Sequence, residues 1–349
     1  MGWYTPSSRL QFFRSYPKVD LHRHLEGSLR LKTLLDVACQ HGITLPVSPD
    51  LSNLVQMQPG DKLNFSTFLS KFKYLHLFYR SEEVIRRVTR EAVQDAAEDN
   101  VQYLELRFTP VVLTRAQDLS LAEVMDWVAG TARQAGQEFG VTVRLIASVN
   151  RHESVSLAEQ VAGLAVERMA QGIVGLDLAG NEADFSAKPF ASTFQQAKKC
   201  GLFLTVHAGE WGGADNVREA LENLGADRIG HGVQVMQDPA LVDLARERKV
   251  PFEVCLTSNS QTGAVSSLAE HPVRRMLQAG LNVTLNSDDP SISGITLGDD
   301  YRLAVEALGM AGSELAKCVL QAANAAFLSE AERGQLVIKL AAQLAELKN

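Results

Sequence analysis

Eight short, β-rich runs recur along this chain, at 18–25, 101–109, 141–149, 173–179, 202–207, 228–231, 251–256 and 282–287. Between them lie longer stretches with helical hydrophobic period, at 82–99, 121–139, 156–171, 187–200, 216–224, 239–248 and 272–279. Strands that alternate with helices pair in parallel, because each helix carries the chain back across one face of the sheet. Eight such units predict closure into a TIM-type (β/α)8 barrel of the α/β class. The competing architecture is an open doubly wound sheet. A dinucleotide-binding version of it needs a Gly-x-Gly-x-x-Gly turn after the first strand, and the chain there reads His-Leu-Glu-Gly-Ser.

The 349 residues are read as a single barrel domain with two additions. Residues 31–80 separate the first two strands by far more than one helix. This insertion holds Pro46, Pro49, Pro59 and Gly60, then an aromatic helix with Phe65, Phe68, Phe72 and Tyr74. Insertions after barrel strands lie beside the active site, so a lid is expected. Residues 297–349 read as further helices packed outside the barrel.

Composition narrows the function. The net charge is −7 and the pI about 5.7. An acidic surface disfavours nucleic-acid polymers and anionic membranes, though it admits a small nucleotide-like ligand. Cys39, Cys200, Cys255 and Cys318 are scattered, with no Cys-x-x-Cys spacing, as in a reducing compartment. No signal-peptide core and no apolar run of ~18 residues is seen. A cytoplasmic protein is expected, and the sequence assigns no oligomeric state.

Four polar segments sit where strand runs end: His22-Arg23-His24, His207-Ala208-Gly209-Glu210, Gly230-His231-Gly232 and Asp288-Asp289-Pro290. Residues two apart on a strand share a face, so His22 and His24 project together and can bind one zinc ion. His207 offers a third ligand from another strand, and Asp288 a fourth, anionic one. Catalytic zinc keeps a position for water. Alone, the two aspartates would read as a helix N-cap or Asx turn; three converging histidines favour the ligand reading for Asp288. Glu210, just past the strand, can sit beside the metal without binding it and act as a proton donor. His231 fits a base that orients the metal's water; a strand-end histidine bonded to backbone is the plainer alternative.

These segments in this order resemble the adenosine deaminase family of amidohydrolase-type barrels. The resemblance runs from about Pro17 to Asp300. It includes the stretches from Tyr103 to Phe108, Leu176 to Glu182 and Cys255 to Asn259. It implies one Zn2+ per chain held by His22, His24, His207 and Asp288, and a 6-aminopurine nucleoside as the small-molecule substrate. Glu210 would protonate purine N1, His231 and Asp288 would orient the attacking water and help remove its proton, Asp289 would bond N7 and the Gly180 N–H N3. Phe68 and Phe72 look like an apolar gate. Glu26 departs from the pattern: many adenosine deaminases carry Asp there to hold a ribose hydroxyl, and Glu resembles relatives that act on adenine or aminodeoxyfutalosine. Gln261-Thr262-Gly263-Ala264 is similar to the adenosine branch, and that longer match weighs more. A dinuclear amidohydrolase acting on a cyclic amide or phosphoester would want a bridging lysine, and the fourth strand ends Asp177-Leu178-Ala179-Gly180-Asn181 without one. A catalytically silent barrel would be expected to lose Glu210 or a ligand.

Overall fold

A computed structural model describes residues 6–45 and 50–347. Pro46 and Pro49 lie outside the described residues. The eight strands are β1 Lys18–His24, β2 Val101–Phe108, β3 Thr142–Asn150, β4 Ile173–Ala179, β5 Phe203–Ala208, β6 Arg228–His231, β7 Pro251–Val254 and β8 Asn282–Leu285. They pair in parallel in sequence order. The ring closes beyond β8, where the Asp288 N–H donates to His22 O at 2.7 Å and the His24 N–H donates to Asp288 O at 2.8 Å. The expected α/β barrel is therefore the fold, and each strand lies within two or three residues of its expected bounds.

Local chemistry starts the outer helices where the periodicity places them. Ser81, Ser120 and Ser154 each accept an N–H of the first turn, from Val84, Glu123 and Leu157. Such caps satisfy donors that have no intrahelical partner. The helices bury one face against the strands, through residues such as Val88, Ala92, Val128 and Ala132. In the insertion, the aromatic helix runs Phe65–Leu75, capped by Asn64. Within 297–347, the helix Gly312–Ala325 packs on β8 and β1. It is thus the barrel's own eighth helix, which the sequence reading placed outside.

The barrel interior is not filled by branched aliphatics. Glu105, Arg107, Asp177, Thr205, Arg228 and Glu253 meet across it, all fully or almost fully buried. Arg228 bonds Glu253 at 2.6 Å and also Glu105, while Arg107 bonds the other Glu253 oxygen at 2.8 Å. Buried charges persist only when paired, and here three carboxylates interlock with two guanidinium groups.

Candidate functional site

The four ligand candidates converge at the C-terminal ends of β1, β5 and β8. One ligand atom each from His22, His24, His207 and Asp288 lies within 4.8 Å of all the others. His22 Nδ1 donates to Glu253 Oε2 at 2.8 Å, and His207 Nδ1 donates to Asp177 Oδ1 at 2.9 Å. Both rings therefore turn an Nε2 lone pair into the cluster. There, His22 Nε2 lies 3.2 Å from Asp288 Oδ1 and lacks a hydrogen-bond partner. His207 Nε2 lies 3.3 Å from His24 Nε2. Three imidazole nitrogens and a carboxylate oxygen gathered at this range fit a cation. Three imidazoles and one carboxylate suit zinc, and carboxylates behind the histidines are the usual means of orienting them.

Backbone geometry lets the ligands crowd. Asp288 and His231 both hold φ of 60°, a left-handed conformation that side chains other than glycine adopt only at a cost and that gathers at functional sites. Gly230 leaves space for the rings: a Cβ there would stand 3.2 Å from His22 Cε1 and from His207 Cα.

The expected proton-handling groups, His231 and Glu210, lie on the other side of Asp288. His231 Nε2 is 3.5 Å from Glu210 Oε2 and 4.0 Å from Asp288 Oδ2, while Ser258 donates to that same Asp288 oxygen at 2.6 Å. Glu210 Oε1 accepts from Thr262 Oγ1 at 3.0 Å and faces Asn259 Nδ2 at 3.5 Å. Burial pushes the Glu210 carboxyl well above its ordinary range, and the charges of Asp288 and Glu182 push it further. The loop carrying Glu210 is wrapped on one carboxylate. Glu182 accepts the consecutive N–H groups of Gly209, Glu210, Trp211 and Gly212 at 2.5–3.0 Å.

A cavity of about 270 Å³ opens over this centre, lined among others by His24, Glu26, Phe68, Phe72, Gly180, His207, Glu210, His231, Asp288 and Asp289. Every candidate except the deeper His22 borders it. Asp289 opens the helix Pro290–Ser293 but makes no side-chain cap bond, so the N-cap reading fails. Its Oδ1 is buried without a partner, and burial beside Asp288 and Glu26 raises its carboxyl well above the usual range. A Cβ on Gly27 would fall 1.9 Å from that oxygen, so only glycine fits there. Glu26 caps no helix. Its Oε1 accepts the Thr109 N–H, its Oε2 is buried without a partner, and burial pushes the carboxyl up to about 7.

Several residues around the site had no role in the sequence reading: Glu253 and Asp177 behind the histidines, Ser258 on Asp288, Asn259 and Thr262 on Glu210, Glu182 under the loop, and His76 and His152 in the cavity wall. A signal existed for some. Glu105 with Arg107, and Thr205 with His207, repeat the two-residue spacing of His22 and His24 inside otherwise apolar strands. A second potential metal group, His231, Cys255 and Asp288, shares Asp288 with the first. Burial raises the Cys255 thiol well above its ordinary value, which opposes a thiolate ligand there.

Comparisons with known proteins identify relatives of this chain. An adenosine deaminase of Klebsiella pneumoniae is 37% identical over 330 residues, 94% of this chain and 98% of that protein. The solved adenine deaminase of Arthrobacter aurescens superposes with a TM-score of 0.87 at 29% identity, over 95% of this chain and 99% of that one. An amidohydrolase from Burkhoderia ambifaria, solved with bound Zn, gives a TM-score of 0.89 at 25% identity, over 99% of this chain and 95% of that one. The family model for adenosine deaminase matches residues 17–343, and the chain belongs to that family.

Proposed function

We propose that this protein hydrolyses adenosine and deoxyadenosine to inosine, deoxyinosine and ammonia, using one zinc per chain held by His22, His24, His207 and Asp288. One observation carries the reading. Three histidines and an aspartate converge beneath a cavity whose wall also holds a buried, proton-retaining Glu210. When bound, zinc supplies Lewis acidity that makes water a nucleophile near neutral pH.

The remaining work falls to side chains. Glu210 Oε1 is engaged by Thr262, which leaves Oε2 to carry the proton given to purine N1. That transfer makes C6 electrophilic. Water adds at C6, the proton it gives to Asp288 passes to N6, the C6–N6 bond breaks, N6 departs as ammonia, and the C6 hydroxyl proton restores Glu210. Asp288 Oδ2 stands where the water's proton must leave, with His231 Nε2 4.0 Å from it to orient the water. Asp289, whose burial favours its protonated form, donates to N7, and the Gly180 N–H donates to N3. Phe68 and Phe72 cover the base and keep bulk water out. The unpartnered oxygen of Glu26 gives a ribose hydroxyl its acceptor.

The cavity wall holds no lysine or arginine among the described residues. A 5′-phosphate would find neither a lysine nor an arginine there, which supports a nucleoside over a nucleotide. A second reading, an enzyme for free adenine or aminodeoxyfutalosine, is favoured by Glu26 itself and by the likeness to an adenine deaminase. Ammonia release from adenosine, deoxyadenosine, adenine and aminodeoxyfutalosine, and methylamine release from N6-methyl-AMP, decide between them. Adenosine and deoxyadenosine are expected to lead; faster turnover of adenine or aminodeoxyfutalosine would replace the substrate while keeping the chemistry.

A further inference from the structure

Behind His231 runs a chain of hydrogen bonds whose far end is a backbone amide. The Val273 N–H donates to His271 Nδ1 at 3.1 Å. His271 Nε2 faces Asn259 Oδ1 at 3.4 Å, and Asn259 Nδ2 faces His231 Nδ1 at 3.1 Å. All three side chains are buried, at 5%, 0% and 1% exposure for His271, Asn259 and His231.

A backbone N–H can only donate, so it fixes the direction of every bond in the series. His271 Nδ1 must be a lone pair. Burial holds His271 neutral, with a pKa down at about 3, so its single proton sits on Nε2 and is donated to Asn259. The Asn259 atom that receives it must be the carbonyl oxygen, which turns the amide NH2 toward His231. Glu210 Oε1 lies on that same side, 3.5 Å from Nδ2. The amide orientation is therefore fixed from both of its ends, with a donor on the oxygen side and acceptors on the nitrogen side. His231 Nδ1 then accepts, and the one proton of the neutral ring is on Nε2, the nitrogen turned to Glu210 and Asp288. Which nitrogen of a catalytic histidine carries the proton is set by the bond its other nitrogen makes.

We propose that Asn259 and His271 are positioning residues that hold His231 as the Nε2–H tautomer, so that His231 acts on the reaction as a hydrogen-bond donor and Asp288 alone receives the water's proton. A neutral imidazole with its proton on Nε2 has no lone pair to offer the reaction centre. It can hold the oxygen that adds to C6 and stabilise the charge that develops on it. This rests on the deaminase reading for the identity of that oxygen. The tautomer itself does not depend on it.

The test is the nitrogen spectrum of zinc-loaded protein labelled with 15N-histidine, recorded without substrate. Long-range proton–nitrogen correlations separate a protonated from an unprotonated ring nitrogen. Wild type is expected to show His231 protonated at Nε2 and bare at Nδ1. Asn259→Asp replaces the donor with an acceptor of the same shape. It is expected to move the proton to Nδ1 and to lower kcat by ~10²-fold or more, the lower end for an acid–base group, with zinc content and KM little changed. His271→Phe frees the amide to turn and is expected to give both tautomers and a smaller loss of kcat. Wild-type His231 protonated at Nδ1 or at both nitrogens overturns the proposal. So does an Asn259→Asp protein that keeps wild-type kcat. Should Asn259→Asp fail to fold, the wild-type spectrum and His271→Phe decide. An Nε2–H signal in a protein that deaminates no purine would remove the deaminase reading and leave the relay standing.

Discussion

The mouth of the barrel and the layer beneath it are built from the same kinds of side chain and solve opposite problems. Below, the three buried carboxylates of Glu105, Asp177 and Glu253 share the two guanidinium groups of Arg107 and Arg228. Above, His22, His24, His207 and Asp288 turn acceptors toward one another, and His22 Nε2 and Asp289 Oδ1 are buried without hydrogen-bond partners. An unmade polar bond in the interior costs ~1–3 kcal/mol. The lower layer meets most of that cost with protein partners, Arg107 Nε and Nη1 being the atoms of these five side chains left without a hydrogen bond, and the upper one would leave it to the proposed cation and substrate. The layers are joined, since Glu253 pairs with both guanidinium groups and also orients His22, while Asp177 lies near Arg107 and orients His207. The lower layer is therefore foundation as well as filling.

The largest effect expected from breaking this division is at the mouth. His207→Ala should remove zinc, read by elemental analysis, and reduce activity to background. The fold should survive, because the barrel's closure and its lower layer are made without the ion. Wild-type protein with two metals per chain, or none, would break the assignment of the upper layer. Next comes Glu210→Gln, which keeps the shape of the side chain and loses its proton. Turnover should fall by ~10²–10⁴-fold, as for a general acid, with zinc retained. A mutant within a few-fold of wild type would take Glu210 out of the mechanism, and loss of zinc would make it a ligand.

The lower layer should behave in the reverse way. Arg228→Met removes the guanidinium between Glu105 and Glu253, which takes away the buried cation of Glu105 while Glu253 keeps Arg107. Breaking a buried pair in this manner costs ~3–5 kcal/mol. Denaturant unfolding of zinc-free protein is the measurement, because bound metal would add its own stabilisation. His207→Ala under the same conditions should cost much less. Equal losses from the two would show that the layers are not distinct in their energetics.

This contrast also explains what could be read from the sequence. The mouth was legible because its residues are chemically rare at strand ends. Two histidines at i and i+2, then a histidine, a histidine between glycines and a pair of aspartates, each end an apolar run. The barrel was legible from the alternation of those runs with helices, to within a few residues at each boundary. The lower layer was not. Asp177 and Glu253 are single charged residues inside strands, and the spacing of Glu105 with Arg107 names no partner; an inward carboxylate looks the same whether it points to solvent or to an arginine across the barrel. Pairings such as Arg107 with Glu253, 146 positions apart, belong to closure of the ring and leave no local trace. Asn259 and His271 were hidden for the same reason: their role depends on the direction of hydrogen bonds, which spacing does not encode. The helix Gly312–Ala325 was read as an outer addition because no ninth strand follows it to mark it as part of the repeat.

Glu26 stands between the layers and makes the finest test of the comparison. One of its oxygens is satisfied from within by the Thr109 N–H; the other is buried and unpartnered in the cavity wall. A ribose hydroxyl would complete it, and free adenine has no group in that place. Glu26→Ala should therefore lower kcat/KM for adenosine more than for adenine. A bond lost to a charged partner is worth ~1.5–3 kcal/mol, or roughly ten- to a hundred-fold in the ratio of the two specificities. Losing the Thr109 bond affects both substrates alike and cancels in that ratio. Equal losses for adenosine and adenine would make Glu26 a purely internal partner of Thr109, placing it with the lower layer. A loss confined to adenine would assign the cavity to the free base.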